Sequence, residues 1–231
     1  RRVNYNFSLQ RAIEWANKLS KPLLIFEPIA IDYPMASIRF HKFAIEGMRD
    51  IQKQIKDSKA FYFPYVEESK GVGDKLLFDL AKDAAVVITD DYPTYFVPQM
   101  TAEAKGNIKT TYELVDSNGI LPIRIAEKEY VRAHDFRRFM HKNIEDFLVE
   151  FPVENPLDYL NIQFDHKLME SIIRKYKLQD FNEINIQKFL DNLNVDKSVE
   201  VSEVVGGYDA AKLRLDYFTK KGFNDYAKRR S

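Results

Sequence analysis

The sequence predicts an α/β protein: a doubly wound parallel sheet with helices on both faces, followed by a linker and a few helices. Three observations carry this. Apolar runs at 22–28, 60–66, 84–90 and 112–116 have the length of strands. The stretches between them place apolar residues three and four apart, as helices of 10–20 residues do. Alternation of the two requires parallel strands joined by right-handed crossovers.

In chain order, Phe7, Leu9, Ala12, Ile13, Ala16 and Leu19 put a helix over 6–19. A strand normally precedes such a helix, so a first strand is expected to be cut off or not represented. Pro22–Pro28 is a buried strand, and Tyr33-Pro34 a turn. Ile38, Phe43, Ile45, Met48, Ile51 and Ile55 mark a helix over 36–57. The run 60–66 contains Pro64, which places it at a sheet edge because proline cannot donate to a ladder. Gly71-Val72-Gly73 leads into a short helix over 74–82. Residues 84–90, small and β-branched, read as a strand buried on both faces. It ends at Asp90-Asp91-Tyr92-Pro93, where proline forces a turn. A helix at 95–105, a strand ending at Asp116, a turn at Ser117-Asn118-Gly119 and a helix over 131–150 complete a domain at 1–150. Pro152 and Pro156 open a linker, 151–205, with short helices at 165–177 and 184–193. Gly206-Gly207 breaks the chain before a last helix over 210–230, whose basic end suits the helix dipole.

The 231 residues carry 35 basic and 35 acidic groups, a formal net charge of zero. A domain that grips DNA by itself usually carries a basic excess, so this balance argues against that role for this chain. There is no cysteine, which removes disulfides and cysteine-based zinc sites. No apolar run reaches membrane-span length, and Arg1–Asn6 has no signal-peptide core. The expected location is cytoplasmic, without membrane contact. The 17 Phe and 13 Tyr mainly supply core.

In doubly wound sheets ligands bind beyond the carboxyl ends of the strands. Asp90 and Asp91 stand at such an end, as ligand-hydroxyl acceptors or as a solvated, capping pair. A metal is not expected there, because no third ligand is near in sequence. Gly71-Val72-Gly73-Asp74-Lys75 lacks the GxxxxGK[ST] spacing and reads as a turn before a helix. GxGxxG is also absent, which argues against an ordinary dinucleotide site. Of the four histidines, His41, His134, His141 and His166, His134 and His141, seven apart on one helix, read as surface or interhelix residues. Arg132, Arg137, Arg138 and Lys142, with Asp135, Glu145 and Asp146, make a mixed-charge helix, read as a solvated face or a domain contact in preference to a phosphate-binding one. No Ser-His-Asp or Cys-His signature exists.

Several segments, in order, resemble the photolyase/cryptochrome family, and most of all the class II cyclobutane-dimer DNA photolyases. They are Arg2-Val3 with Asn6 and Leu9; Lys21-Pro22-Leu23; Ile38–Phe43 with Gly47-Met48; Val86–Asp90 with Pro93 and Val97-Pro98; and Val115–Pro122. Lys128-Glu129-Tyr130, Phe147–Pro152 and Gly206-Gly207-Tyr208 with Ala211, Leu215, Phe218, Tyr226 and Arg229 continue the series. The resemblance implies a Rossmann-like antenna-binding domain, with 206–231 leading into a helical domain that holds FAD. The family's flavin-binding Ser-x-Leu-Ser-Pro-type motif is not in this sequence, so no catalytic residue carries over and this chain alone is expected to be inactive. The complete protein would be a carbon–carbon lyase that repairs pyrimidine dimers by electron transfer from reduced FAD. It would meet damaged DNA through the helical domain. The antenna pigment, a deazaflavin or a folate, is expected against Arg2, Asn4, Asn6, Asp90, Asp91, Tyr92 and Tyr95. Self-association through the C-terminal helix is a further expectation. The alternatives are a cryptochrome-like photoreceptor and an unrelated nucleotide-binding α/β protein.

Overall fold

The structure, a computed structural model, describes residues 2–229; Arg1, Arg230 and Ser231 lie outside them, and with them the last residues of the helix expected at 210–230. The chain divides into two compact units. The first holds Leu24–Asp74, the residues from Phe164 onward, and Arg2; the second holds Val3–Leu23 and Lys75–Gln163.

In the first unit, β1 (Leu24–Ile29) pairs in parallel with β2 (Phe61–Val66), Leu24 opposite Phe61 and Ile29 opposite Val66. The crossover between them is α2 (Ile38–Ile55). Its inward face repeats at three- and four-residue steps through Ile38, His41, Ile45, Met48, Ile51 and Ile55, so one stripe is buried. Every residue of β2 is buried, and its one ladder partner is β1. Pro64 therefore sits where an edge strand tolerates it. At Val66 the side-chain amide of Gln179 stands in for a further strand: Val66 N–H donates to Oε1 (2.6 Å) and Nε2 donates back to Val66 C=O (2.9 Å). Ile29, Ile45, Met48, Val66 and Phe181 form the core with Leu190 of α7 (Ile186–Asn192) and Leu193 just after it. A short α6 (Glu170–Tyr176) precedes α7.

The C-terminal segment joins this unit by close approach. A Cβ on Gly206 would stand 2.0 Å from the carbonyl oxygen of Phe43, and Gly207 has φ +109°. Gly206 N–H donates to buried Glu46 (2.8 Å), and Asp209 N–H donates to Asp50 (3.1 Å). From there α8 (Tyr208–Tyr217) runs into a π-helical turn at Phe218–Gly222, a 3₁₀ turn at Phe223–Asp225 and a last turn α9 (Tyr226–Arg229). The uniform α-helix expected here thus departs from α geometry at Phe218 and returns to it only at Tyr226. Leu213, Leu215, Tyr217, Phe223 and Tyr226 are exposed.

In the second unit, α1 (Phe7–Leu19) starts at Asn6, whose side chain accepts from Leu9 N–H, and ends at Ser20 in the left-handed conformation. The other parallel pair, β3 (Val86–Asp90) and β4 (Thr111–Val115), is preceded by α3 (Leu76–Ala81) and connected by α4 (Val97–Asn107). Ala81, Ala104 and Ile108 form a small core with Leu77, Phe78, Val87 and Tyr112 packed on it. β3 is half-buried along its length, not buried on both faces as its composition suggests, because it has a single ladder neighbour. The helix expected over 131–150 is α5 (Ala133–Asn143), after which Ile144–Phe147 tightens to a 3₁₀ turn.

The α/β class, with parallel strand pairs and helical crossovers, is as the sequence predicts. Hydrogen bonds join the four strands as two separate pairs. Among the described residues, no helix is long and apolar enough to cross a membrane, and no group of three or more metal-type side chains converges.

Candidate functional site

The carboxyl ends of β3 and β4 face the first turn of α1, all within the second unit. Each partner arrives for a local reason. Asp90 is the last residue of β3, and Ser117 lies two residues beyond β4. Ser8 is the second helical residue behind the Asn6 cap, where its amide has no intrahelical acceptor. Ser8 N–H donates to Ser117 Oγ (2.9 Å), its hydroxyl lies 3.0 Å from Ser117 Oγ, and it donates to the Asp90 carboxylate. Asp91 continues the ladder, its N–H donating to Val115 C=O (2.8 Å). Its carboxylate receives both Nε (2.8 Å) and Nη2 (2.7 Å) of Arg124, and Asn118 Nδ2 donates to its carbonyl (2.8 Å). Asp116 accepts from Ile123 N–H (2.6 Å) and Asn118 N–H (3.2 Å), fixing the turn after β4.

Beside this lies an open cleft of about 430 Å³, lined by Phe7, Gln10, Arg11 and Glu14 of α1 and by Glu113–Asp116. Its charged centre is Glu113, which accepts from Arg11 Nε (2.7 Å) and from Trp15 Nε1 (2.6 Å). Partial burial pushes the Glu113 carboxyl up, but the bonds from Arg11 and Trp15 outweigh it and hold it below the usual carboxylate range. The bonds Arg11 donates to Glu113 and Glu14 raise its guanidinium in turn. Arg11 and Lys18 both lie over the Trp15 ring, at 5.1 and 4.9 Å from its centroid.

Of the residues expected to hold a pigment, the structure brings Asn6, Asp90 and Asp91 to this mouth. Asn4 lies in the preceding turn, bonded to Asn155 (2.6 Å). Tyr92 and Tyr95 lie on the loop after β3, 40% and 86% exposed, and Tyr95 has φ +58°. Arg2 is exposed and belongs to the first unit. Sequence reading missed Ser8, Arg11, Trp15, Glu113 and Ser117. Arg11 and Trp15 lie about one helical turn apart, which is visible in the sequence. Their shared acceptor is about a hundred residues away, which is not.

The remaining candidates have structural settings. The Gly71–Gly73 turn is held by buried Glu67, which accepts from Gly71 N–H (2.6 Å). His41 is buried, its ring nitrogens 2.9 Å from Ser37 C=O and 3.2 Å from Ala30 C=O. His166 meets the Phe61 ring edge-on at 5.2 Å.

The geometry defines an α/β unit with a polar mouth at the strand carboxyl ends. No family model matches the chain. It is 30% identical, over 149 residues, to the deoxyribodipyrimidine photo-lyase of Methanothermobacter thermautotrophicus (strain Delta H), a match that covers 64% of this chain and 33% of that protein. The chain thus spans about a third of the length of the curated relative it matches.

Proposed function

We propose that this chain is the N-terminal, antenna-type part of a class II-like DNA photolyase. The complete protein would split cyclobutane pyrimidine dimers in DNA with light and reduced FAD. The similarity to a photolyase over 149 residues carries the reading. The α/β architecture and the mouth at the strand ends support it. FAD would supply the photo-excited electron, and we assign no residue of this chain to it.

The mouth fits a hydroxyl-rich aromatic pigment. A carboxylate has about four acceptor positions. Asp90 and Asp91 use some of theirs on Ser8 and Arg124, and the rest remain for ribityl-type hydroxyls. Phe7 and Tyr92 offer apolar faces for a ring system. The chain's part would be to bind and orient the pigment, and the two bonds from Arg124 would hold the Asp91 carboxylate in place.

Two measurements test this. Dimers in UV-irradiated DNA are counted with the complete protein, in blue light and in the dark. Loss of dimers only in the light is expected. Bound FAD without repair would favour a cryptochrome-like receptor, and absence of FAD would overturn the reading. The chain is then titrated with deazaflavin and folate by fluorescence. Saturable binding that weakens at least tenfold in Asp90→Ala and Tyr92→Ala is expected; binding unchanged by both would move the pigment away from this mouth.

A further inference from the structure

We infer that the outer edge of β4, where it borders the cleft beside α1, adds a strand from a partner protein, and that this strand is a short extended segment in which Lys or Arg alternates with apolar residues. The inference goes beyond the light-driven reading and does not depend on it. The ladder register shows which backbone groups are free. Asp91 N–H donates to Val115 C=O, and Val115 stands opposite Asp90. In a parallel pair a residue bonded in this way sends both its N–H and its C=O to the neighbouring strand, and the residues on either side of it send theirs the other way. Thr111, Glu113 and Val115 therefore turn their backbone groups toward β3. Tyr112 and Leu114 turn theirs away from it.

Among the described residues, no hydrogen bond reaches the outward N–H and C=O groups of Tyr112 and Leu114. The outer edge of β2 is treated differently. It includes Pro64, which has no N–H, and Val66, both of whose groups are taken by Gln179. β4 contains no proline, and no side chain stands in for a neighbour along it. An unpaired edge of this kind is a template for a further strand. The cleft lies along this edge, and no residue of β3 lines it. Its other wall is Phe7, Gln10, Arg11 and Glu14, at helical steps of three, four and seven on one face of α1. A strand laid about 4.8 Å from β4 falls alongside that wall.

Charge and the pleat select the occupant. The cleft holds three carboxylates, Glu14, Glu113 and Asp116, against one guanidinium, Arg11. Arg11 is already bonded to Glu113 and to Glu14, so acid remains in excess. Glu113 points to the α1 side, as its bonds from Arg11 and Trp15 show, and Val115 follows it at a two-residue step. Tyr112 points to the opposite side, where it packs on Ala81, Ala104 and Ile108, and Leu114 follows it. An added strand alternates in the same way. Cations at every second position meet the acids of the cleft, and opposite charges facing across a ladder stabilise the pair. Apolar residues between them lie beside Tyr112 and Leu114. A second copy of this chain is a poor occupant, because pairing β4 with β4 would set Glu113 and Asp116 against the same acids.

The test is fluorescence anisotropy of a labelled, end-blocked peptide, Lys-Val-Lys-Val-Lys-Val-Lys, titrated with the protein. The same peptide with Glu in place of Lys is expected to bind about tenfold more weakly or worse. Two further versions carry N-methyl groups, one on every Val nitrogen and one on every inner Lys nitrogen. A strand paired along one edge uses the N–H groups of alternate residues only. One methylated version is therefore expected to lose about tenfold or more in affinity, and the other to stay within about twofold. Leu114→Pro removes an outward N–H and no ladder bond. It should keep the emission of Trp15 and weaken binding about tenfold. Glu14→Lys, an exposed change on α1, should weaken the Lys peptide about fivefold and tighten the Glu peptide, a gain that misfolding cannot mimic. Equal binding of the Lys and Glu peptides, equal behaviour of the two methylated versions, unchanged binding in Leu114→Pro, or a dimer of the protein that Leu114→Pro abolishes without any peptide binding would overturn the proposal.

Discussion

At the scale of single residues, three positions tie chemistry to stability. Glu113 is ionised more easily in the folded protein than in the unfolded chain, because Arg11 and Trp15 donate to it. A lowered carboxylate contributes stability that is complete above the ordinary range near 4.3 and fades as pH falls through the depressed value. Glu113→Gln should lower the urea midpoint at pH 7, and the gap to the unmodified protein should close in acid. Tyr65 has the opposite sign. Burial, with Glu67 and Glu68 nearby, pushes its phenol up to about 12. The unfolded chain ionises near 10, so stability should fall between pH 10 and 12, and Tyr65→Phe should make that fall shallower in a denaturation series, the partly buried Tyr112 phenol, also raised, supplying the rest. Gly206 acts by shape alone. With Phe43 C=O 2.0 Å from any added Cβ, Gly206→Ala must displace the segment from α2. The expected cost is about 3 kcal/mol, read from urea unfolding.

At the scale of elements, the strands were legible because each is a short apolar run between helix-patterned stretches. The order β-α-β twice over followed from that alone. Pro64 marked an edge correctly, but nothing local announced Gln179 as the group that fills Val66's free valences, 113 residues away. The helix ends were less legible. Apolar spacing continues through Ile144 and Phe147, yet the backbone there has tightened to 3₁₀ geometry, which a periodicity of three to four residues does not distinguish. The same holds for 210–230, where Phe218, Phe223 and Tyr226 keep helical spacing across a π-helical turn and their rings pack edge-to-face at 6.0 and 5.7 Å. Asp90 and Asp91 were visible as a polar strand end. The Ser8 and Ser117 hydroxyls that complete the mouth carry no signal beyond their residue type.

At the scale of the molecule, the two units are unequal. The first encloses a large core around β2 and α2, with Phe63, Ile45, Met48 and Phe181 fully buried. In the second, Ile13, Leu76 and Leu160 are also buried, but the cluster packed on β3 and β4 holds only Ala81, Ala104 and Ile108, and the strands themselves are half-exposed. Amides protected by a small core open at lower free energy. Native-state hydrogen exchange should find β1, β2 and α2 slower than β3, β4 and α4 by an order of magnitude or more. Equal protection in both pairs would show that the chain opens as one. The unit with the softer core is also the one that holds the mouth. Trp15 is the sole tryptophan of the chain, and its indole N–H is bonded to the cleft carboxylate. The protein therefore carries a built-in optical reporter. Its ultraviolet emission follows the cleft-bearing unit and is blind to melting of the other, and a pigment seated beside Glu113 would drain that emission by energy transfer.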